Sequence, residues 1–245
     1  MQRVIDGWHS PSLDKYMEIV TYGHYGLPFL LFPTAAADFL EYERFLLIDA
    51  IAGHIDAGKV KVFSINSINA ESWLNRQVHP KFKGIRQVQY NEYITNEVVP
   101  YIWNSCQGQI GIITCGASLG AFHAMNQLLR RPDLFDGAMA MSGSYDIRGY
   151  YQDVGYHDEN IYFNNPVDYL PQLNDEHYLP LLRQKQRIYV VTGQGSYENP
   201  DASRRLSRIL ADKAIPHELD LWGFDMPHDW PTWRQMMRYY LAEKF

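Results

Sequence analysis

Short apolar runs alternate along the chain with longer stretches of helical periodicity, and this alternation limits the fold more than any other sequence feature. The runs are continuously apolar, which is typical of strands buried on both faces of a sheet. Alternating strands and helices predict an α/β fold, with a mostly parallel, twisted sheet and helices on both of its faces. The predicted strands cover residues 16–22, 27–32, 60–65, 109–115, 137–141, 187–192 and 217–222.

Five stretches place apolar residues at helical spacing, whereas residues 142–182 show no clean period. Pro100 is expected to kink or end one of these helices, because an interior proline lacks an N–H donor. No repeat or linker divides the chain, so residues 1–245 are predicted to form a single domain, with a small irregular cap around residues 143–182. The predicted helices cover residues 39–52, 85–106, 119–129, 202–214 and 230–242.

Charge and composition argue against several classes of partner. The chain has 22 Lys+Arg and 28 Asp+Glu, a formal net charge of −6, and no basic run, so neither nucleic acid nor an anionic membrane surface is an expected partner. Charged residues interrupt residues 1–20, which therefore lack the apolar stretch of a signal peptide. The apolar stretch 27–37 is too short to cross a bilayer, so a cytoplasmic protein is expected. Cys106 and Cys115 lack metal-ligand spacing, and no metal or disulfide framework is predicted.

One G-x-S-x-G string, residues 116–120, carries the clearest chemical signal. A predicted strand leads into it and a predicted helix leads out of it, which is the setting of a nucleophile elbow. In such a turn Ser118 presents its hydroxyl at the carboxyl end of the sheet, next to a helix N-terminus that favours developing negative charge. The alternative is a tight strand-to-helix turn of the kind found in any α/β protein.

A serine hydroxyl needs a base to take its proton, so the string predicts a histidine later in the chain. Of nine histidines, His228 lies between the last predicted strand and the last helix, where this architecture places its base. Four others precede Ser118 and are in the wrong chain order. His123, His157, His177 and His217 are predicted to be surface or satisfied interior histidines.

The acid that orients the histidine is expected after the preceding strand, in the order Ser, Asp/Glu, His. Glu198 is the predicted acid, in the loop that follows residues 187–192. Asp201 is a rival, with an alternative role as the N-cap of the next helix. Asp146 is a third candidate, and Asp225 is expected to be structural.

Two backbone N–H groups are expected to form an oxyanion hole. Leu119, which follows the nucleophile, supplies one donor. The second comes from the loop of residues 33–38, whose small side chains favour Ala35 or Ala36 as the donor. Asp38 in the same loop is a candidate helix N-cap.

Aromatic residues concentrate in residues 145–169, interleaved with Asp and Asn. One interpretation is that this segment lines the substrate pocket, where its Tyr and Asn side chains stack on a planar or sugar ring of the substrate and hydrogen-bond to the edge of that ring. The other is that it is an irregular insertion whose aromatic side chains simply pack on the domain. Thr34, Tyr145, Tyr197 and Trp230 are the residues predicted to bind substrate.

Residues 116–120, residues 193–198 and His228-Asp229-Trp230 resemble the putative-esterase branch of the α/β-hydrolase superfamily, which also contains esterase D, feruloyl esterases, enterochelin esterases and mycolyltransferases. The resemblance implies the α/β-hydrolase fold and a triad of Ser118, Glu198 and His228. Other strings resemble a small bacterial subgroup of esterase-like proteins: Phe32-Pro33-Thr34, Ser72-Trp73, His79-Pro80, residues 96–100 and Trp222-Gly223.

One departure from the wider branch concerns the oxyanion loop. The branch usually carries His-Gly after the strand, whereas this chain has Pro33-Thr34-Ala35. The expected function is nevertheless that of a carboxylesterase-like serine hydrolase, acting on a small, neutral ester through an acyl-enzyme and without a cofactor. The alternatives are an inactive binding module with the same fold and an acyltransferase that uses an alcohol acceptor. The sequence does not indicate an oligomeric state.

Overall fold

The computed structural model describes residues 1–151 and 155–245 and contains a sheet of eight strands in the order β1-β2-β4-β3-β5-β6-β7-β8. β2 runs antiparallel to β1 and to β4, and the remaining neighbours pair in parallel. The predicted mostly parallel sheet is therefore confirmed. The strands are β1 (Arg3–Ser10), β2 (Lys15–Tyr22), β3 (Leu27–Phe32), β4 (Val60–Ile65), β5 (Ile112–Ala117), β6 (Phe135–Met141), β7 (Arg187–Thr192) and β8 (Glu218–Leu221).

Helices cover both faces of this sheet, as predicted. Along β3, Leu30 and Phe32 belong to one apolar core, whereas Phe29 and Leu31 belong to the other. Side chains of successive strand residues point to opposite faces, so a strand that contributes to both cores is buried on both sides. The helices are α1 (Glu41–Arg44), α2 (Leu47–Ala50), α3 (Ala52–Asp56), α4 (Pro80–Tyr93), α5 (Val99–Ser105), α6 (Leu119–Arg130), α7 (Glu159–Tyr162), α8 (Pro166–Tyr169), α9 (Tyr178–Arg183), α10 (Pro200–Asp212) and α11 (Trp230–Glu243).

Two predicted helices differ from the structure. The stretch 39–52 is broken into short helices, because Leu46 adopts a positive φ of 59° between α1 and α2. The predicted helix 85–106 instead begins at Pro80, where the His79 side chain accepts a hydrogen bond from the Lys81 N–H. Pro100 does not end it, because a wider π-helical turn precedes α5 and the proline lies in the first turn of α5, where a missing N–H costs least.

Residues 143–151 and 155–182 include several short helices and pack beside the helix after the G-x-S-x-G string. Ile147, Tyr151 and Ile161 share a small apolar cluster with Leu119 and Phe122 of α6. Residues 152–154, which belong to the predicted cap and include Asp153, lie outside the described residues.

A buried amide network joins this segment to α4 and α6. Asn164 Oδ1 accepts hydrogen bonds from Asn91 at 2.7 Å and from Asn126 at 3.1 Å, and the Tyr169 hydroxyl donates to Asn126 Oδ1 at 3.0 Å. Because buried amides are costly to leave unpaired, the network fixes the position of the segment on the sheet-covering helices. In the described part of the chain, no helix is both long and apolar enough to cross a membrane.

Candidate active site

Ser118 occupies a strained turn between β5 and α6. Its backbone has φ 57° and ψ −124°, a conformation that L-residues rarely adopt. The turn is closely packed, because a Cβ on Gly116 would lie 2.4 Å from the Gly120 carbonyl, and one on Gly120 would lie 2.3 Å from the Phe32 carbonyl oxygen. Glycine at both positions lets strand and helix approach, which holds the half-buried Ser118 side chain at the carboxyl end of the sheet.

His228 and Glu198 complete a chain of hydrogen bonds that begins at this serine. The Ser118 Oγ lies 3.0 Å from His228 Nε2, and His228 Nδ1 lies 3.2 Å from Glu198 Oε2. The loops that carry the two residues are tied together, because the His228 N–H donates to the Ser196 carbonyl at 2.9 Å. The side chain of His228 is 25 % exposed, so an incoming substrate can reach the base.

Two of the other candidate acids lie in ion pairs away from this histidine. Asp201 is in the first turn of α10 and pairs with Arg204 at 2.8 Å. Asp146 caps the short helix Ile147–Tyr150 and pairs with Arg148 and Arg205. Asp225 is exposed. Of the four carboxylates, the structure therefore places Glu198 against His228.

Four donors surround the Glu198 carboxylate, whose side chain is only 1 % exposed. Ser142 Oγ donates to Oε1 at 2.5 Å, and the Gly193 N–H donates to the same oxygen at 3.3 Å. Thr192 Oγ1 and His228 contact Oε2 at 3.1 and 3.2 Å. Burial alone raises the pKa of this carboxyl, but hydrogen bonds from His228, Ser142 and Thr192 outweigh burial and lower its pKa below the ordinary value. Glu198 is therefore ionised at neutral pH.

The expected oxyanion hole is not open in this structure. The Leu119 N–H donates a hydrogen bond to the Thr34 carbonyl at 3.2 Å. The Thr34–Ala35 peptide is trans, so the Ala35 N–H points away from Leu119 when the Thr34 carbonyl points toward it. In this conformation Ala35 does not supply the expected second donor, because the Thr34 carbonyl occupies the place that its N–H was predicted to take.

Two buried side chains hold the peptides on either side of this carbonyl. Glu41 accepts hydrogen bonds from the Thr34 N–H at 2.7 Å and from the Thr34 hydroxyl at 2.8 Å. Asn69 donates to the Ala35 carbonyl at 3.0 Å, and its own Oδ1 lies 2.9 Å from His123 Nε2. Burial raises the pKa of Glu41, although the bonds from Thr34 lower it in part. Sequence reasoning missed both residues, because nothing in the order of residues links them to the loop.

The residues predicted to bind substrate are placed in different surroundings. Tyr145 is 0 % exposed and lies in the main core, so its predicted place in the pocket wall is wrong: apolar packing on the sheet holds it there. Trp230 is mostly buried, with its ring stacked on Phe45 at 4.5 Å between centroids. Tyr197 is 94 % exposed beside Glu198, and Thr34 is half-buried in the oxyanion loop.

The arrangement of Ser118, His228 and Glu198 supports nucleophilic chemistry at the serine hydroxyl. An imidazole within hydrogen-bonding distance of a serine hydroxyl can take its proton, and a carboxylate on the other ring nitrogen stabilises the imidazolium that forms. Within residues 1–151 and 155–245, no three or more His, Cys, Asp or Glu side chains lie together as metal ligands do.

Comparison with known proteins gives a family and a fold. The family model described as "Putative esterase" matches residues 46–243. A solved ferulic acid esterase is 19 % identical, with a TM-score of 0.74, and the alignment covers 98 % of this chain and 96 % of that one. An S-formylglutathione hydrolase from Agrobacterium tumefaciens is 12 % identical, with a TM-score of 0.68 and coverage of 98 % and 93 %.

A third solved structure is FphF, a fluorophosphonate-binding serine hydrolase from Staphylococcus aureus. It is 13 % identical, with a TM-score of 0.69, and the alignment covers 98 % of this chain and 97 % of that one. None of the curated proteins compared with the chain matches it. At these identities, likeness to the solved structures shows a shared fold.

Proposed function

The chain belongs to the putative esterase family and is a carboxylesterase-like enzyme, and from this premise we propose that it hydrolyses a small, neutral carboxylic ester through Ser118, His228 and Glu198. The family match confirms the resemblance that the sequence motifs predicted. The observation that carries the proposal is the placement of His228, whose two ring nitrogens lie 3.0 Å from the Ser118 hydroxyl and 3.2 Å from the Glu198 carboxylate.

In the first half of the reaction Ser118 Oγ attacks the ester carbonyl carbon while His228 Nε2 takes the hydroxyl proton. The carbonyl oxygen becomes negatively charged in the tetrahedral intermediate. Collapse of this intermediate breaks the bond to the alcohol oxygen, which leaves with the proton from His228. The product is an ester of the acyl group with Ser118, and Glu198 stabilises the transient imidazolium.

In the second half a water molecule attacks the acyl-serine carbonyl, and His228 takes one of its protons. The second tetrahedral intermediate collapses with cleavage of the bond to Ser118 Oγ, which recovers its proton from His228. The carboxylic acid is released, and the enzyme returns to its starting state. The ionised Glu198 is required in both halves, because it holds the ring and balances its positive charge.

The negative oxygen in both intermediates requires donors, and the Thr34–Ala35 peptide has to turn to supply them. Glu41 holds the Thr34 N–H, and Asn69 holds the Ala35 carbonyl. The Thr34–Ala35 peptide is the one that lies between these two fixed groups, and it can turn without breaking either bond. Its rotation frees the Leu119 N–H and brings the Ala35 N–H to the side where the Thr34 carbonyl now lies. The active conformation is therefore one peptide rotation away from the described one.

A fluorophosphonate probe together with p-nitrophenyl acetate tests the proposal. The wild type is expected to gain one covalent adduct at Ser118 by intact mass and peptide mapping, and to hydrolyse the acetate with a burst of p-nitrophenol. Ser118→Ala is expected to gain no adduct and to lose turnover. Equal labelling of wild type and Ser118→Ala, or no adduct on the wild type, would overturn it.

The hydrogen bond from Leu119 to Thr34 favours a second candidate function, a binding module without hydrolytic activity. A hole that stays closed cannot stabilise an oxyanion, whatever the geometry of Ser118 and His228. Labelling of Ser118 without turnover of any ester in a panel of acyl chain lengths is the result expected for such a module.

We also propose that residues 1–245 act as one domain and that the enzyme works in the cytoplasm. The two cysteines support the second point, because both are free, Cys115 buried and Cys106 half-buried, as is usual for proteins of a reducing compartment.

A further inference from the structure

We propose that Ser142 and Trp233 are positioning residues that fix the Glu198 carboxylate, an inference that rests on the function proposed above. Ser142 follows β6 directly and is buried. Its φ is 51°, in the left-handed region that glycine enters freely and other residues rarely adopt. A serine with this backbone beside a candidate acid indicates that its hydroxyl does what glycine cannot.

The hydrogen bonds around Ser142 have a fixed direction. Trp233 Nε1 lies 3.0 Å from Ser142 Oγ, and an indole N–H can only donate. The serine oxygen therefore accepts from Trp233, and its single proton points to Glu198 Oε1, 2.5 Å away. A bond from a hydroxyl to a carboxylate is charge-assisted and short, as observed here. Both hydrogen bonds, from Trp233 to Ser142 and from Ser142 to Glu198, are therefore donated toward the carboxylate.

Trp233 also contacts the base that Glu198 orients. Its ring meets the His228 ring edge to face, with 5.1 Å between centroids and 86° between planes. One side chain of α11 therefore limits the position of His228 through its ring and that of Glu198 through Ser142. The backbone of Ser142 is held as well, because its N–H donates to the Val191 carbonyl of β7 at 2.7 Å.

The hydrogen bonds to Glu198 keep its carboxyl group ionised, although its burial favours the neutral form. The titratable groups that face Glu198 are His228 and Tyr145. Burial raises the pKa of Tyr145 well above the ordinary range for tyrosine, so that group stays neutral wherever the enzyme is assayed. Loss of the Ser142 donor makes the carboxylate easier to protonate and exposes more of its charge to the imidazolium. The second effect stabilises the protonated ring and so moves the acid limb of the rate profile to higher pH.

Ser142→Gly separates positioning from a structural role, because glycine suits the positive φ and removes the hydroxyl together with the single Cβ that carries it. We expect this variant to unfold at the same denaturant concentration as the wild type or at a higher one. Its kcat/KM is expected to fall about ten-fold or more, with the acid limb about half a pH unit higher. The assignment would be overturned if Ser142→Gly kept the wild-type kcat/KM and acid limb, or if its loss of activity were accompanied by a lower stability.

Trp233→Phe tests the second residue, because it keeps an aromatic ring on His228 and removes the indole donor. We expect a smaller loss of kcat/KM in the same direction, and a shift of the acid limb with the same sign. Trp103→Phe is the matched control, since it removes an indole N–H that donates to the Ile110 carbonyl, and it should leave both readouts unchanged. Equal behaviour of the two variants contradicts a role for Trp233.

Fluorophosphonate labelling distinguishes failure of this inference from failure of the proposed function. If the wild type is not labelled at Ser118, the proposed function fails and this inference falls with it. If the wild type is labelled and Ser142→Gly is labelled equally fast at each pH between 5 and 8, the proposed function stands and only the positioning role is lost.

Discussion

The backbone N–H of Leu119 donates a hydrogen bond to the carbonyl oxygen of Thr34, 3.2 Å away. This bond uses the N–H that we propose as an oxyanion donor, and it turns the Ala35 N–H away from the site. Ala35 has a negative φ here, so rotation of the Thr34–Ala35 peptide moves that residue toward the left-handed region. The cost for alanine in that region is about 1–2 kcal/mol.

Ala35→Gly is therefore expected to raise activity, because glycine enters the left-handed region without that cost. We expect kcat/KM for p-nitrophenyl acetate to increase about three- to ten-fold, as the open peptide becomes more populated. Ala36→Gly is the control, since it adds the same flexibility one residue outside the peptide that turns. An Ala35→Gly enzyme no faster than Ala36→Gly contradicts a rate that is limited by this rotation.

Glu198→Gln should remove most of the turnover. The amide carries no charge to balance the imidazolium, and loss of an orienting carboxylate in a serine triad costs about 10⁴-fold in kcat. Asp201→Asn serves as the control, because Asp201 is exposed and pairs with Arg204. The initial rate with p-nitrophenyl acetate is the measurement. A large loss in Asp201→Asn with a near-normal Glu198→Gln would reverse the assignment of the acid.

The same variant is expected to change how stability depends on pH. Hydrogen bonds lower the pKa of folded Glu198, so the folded state holds its proton less tightly than the unfolded chain. The resulting stabilisation is complete above the ordinary glutamate pKa and is lost as pH falls through the lowered one. Urea titrations at pH 7 and at pH 3.5 should therefore show a larger stability difference between wild type and Glu198→Gln at pH 7.

The fold could be predicted from the sequence because the parallel strands are continuously apolar. The predicted bounds of β3, β4 and β7 match the structure, since these strands are buried on both faces. β1 (Arg3–Ser10) was not predicted. It lies at the edge of the sheet with its residues mostly exposed, so no apolar run marks it.

The candidate site was predictable only where residue order determines geometry. Ser118 follows from the glycines on either side of it, and Glu198 and His228 follow from their places after β7 and β8. The Thr34 carbonyl lies where an N–H donor was expected. This orientation depends on Glu41, seven residues away in the chain, whose carboxylate accepts hydrogen bonds from the Thr34 N–H and hydroxyl. Such a contact has no signal in sequence order.

Gly120→Ala should destabilise the protein and disturb the elbow. The new Cβ would lie 2.3 Å from the Phe32 carbonyl oxygen, so β3 or α6 has to move. Overpacking of this kind costs about 1–3 kcal/mol. Gly53→Ala is the matched control, because its Cβ meets no atom within 4 Å, and it should be neutral or stabilising by up to about 1 kcal/mol. Equal midpoints in urea for the two variants contradict the packing argument.

His123 should make the protein less stable in mild acid. It is buried in α6, and burial lowers its pKa to about 3, far below the ordinary histidine value. As pH drops below about 6.5, the His123 imidazole is protonated in the unfolded chain but stays neutral in the folded state, so the free energy of unfolding falls. Between pH 6.5 and 5.5 this one group accounts for about 1 kcal/mol of unfolding free energy.

Urea unfolding of His123→Gln at the two pH values measures that contribution. The variant is expected to lose about 1 kcal/mol less than the wild type over this interval, because it has no imidazole to protonate in the unfolded state. His24→Gln is the control, since His24 is exposed, and it should follow the wild type. Equal losses in wild type and His123→Gln would show that folded His123 takes up its proton as readily as the unfolded chain does.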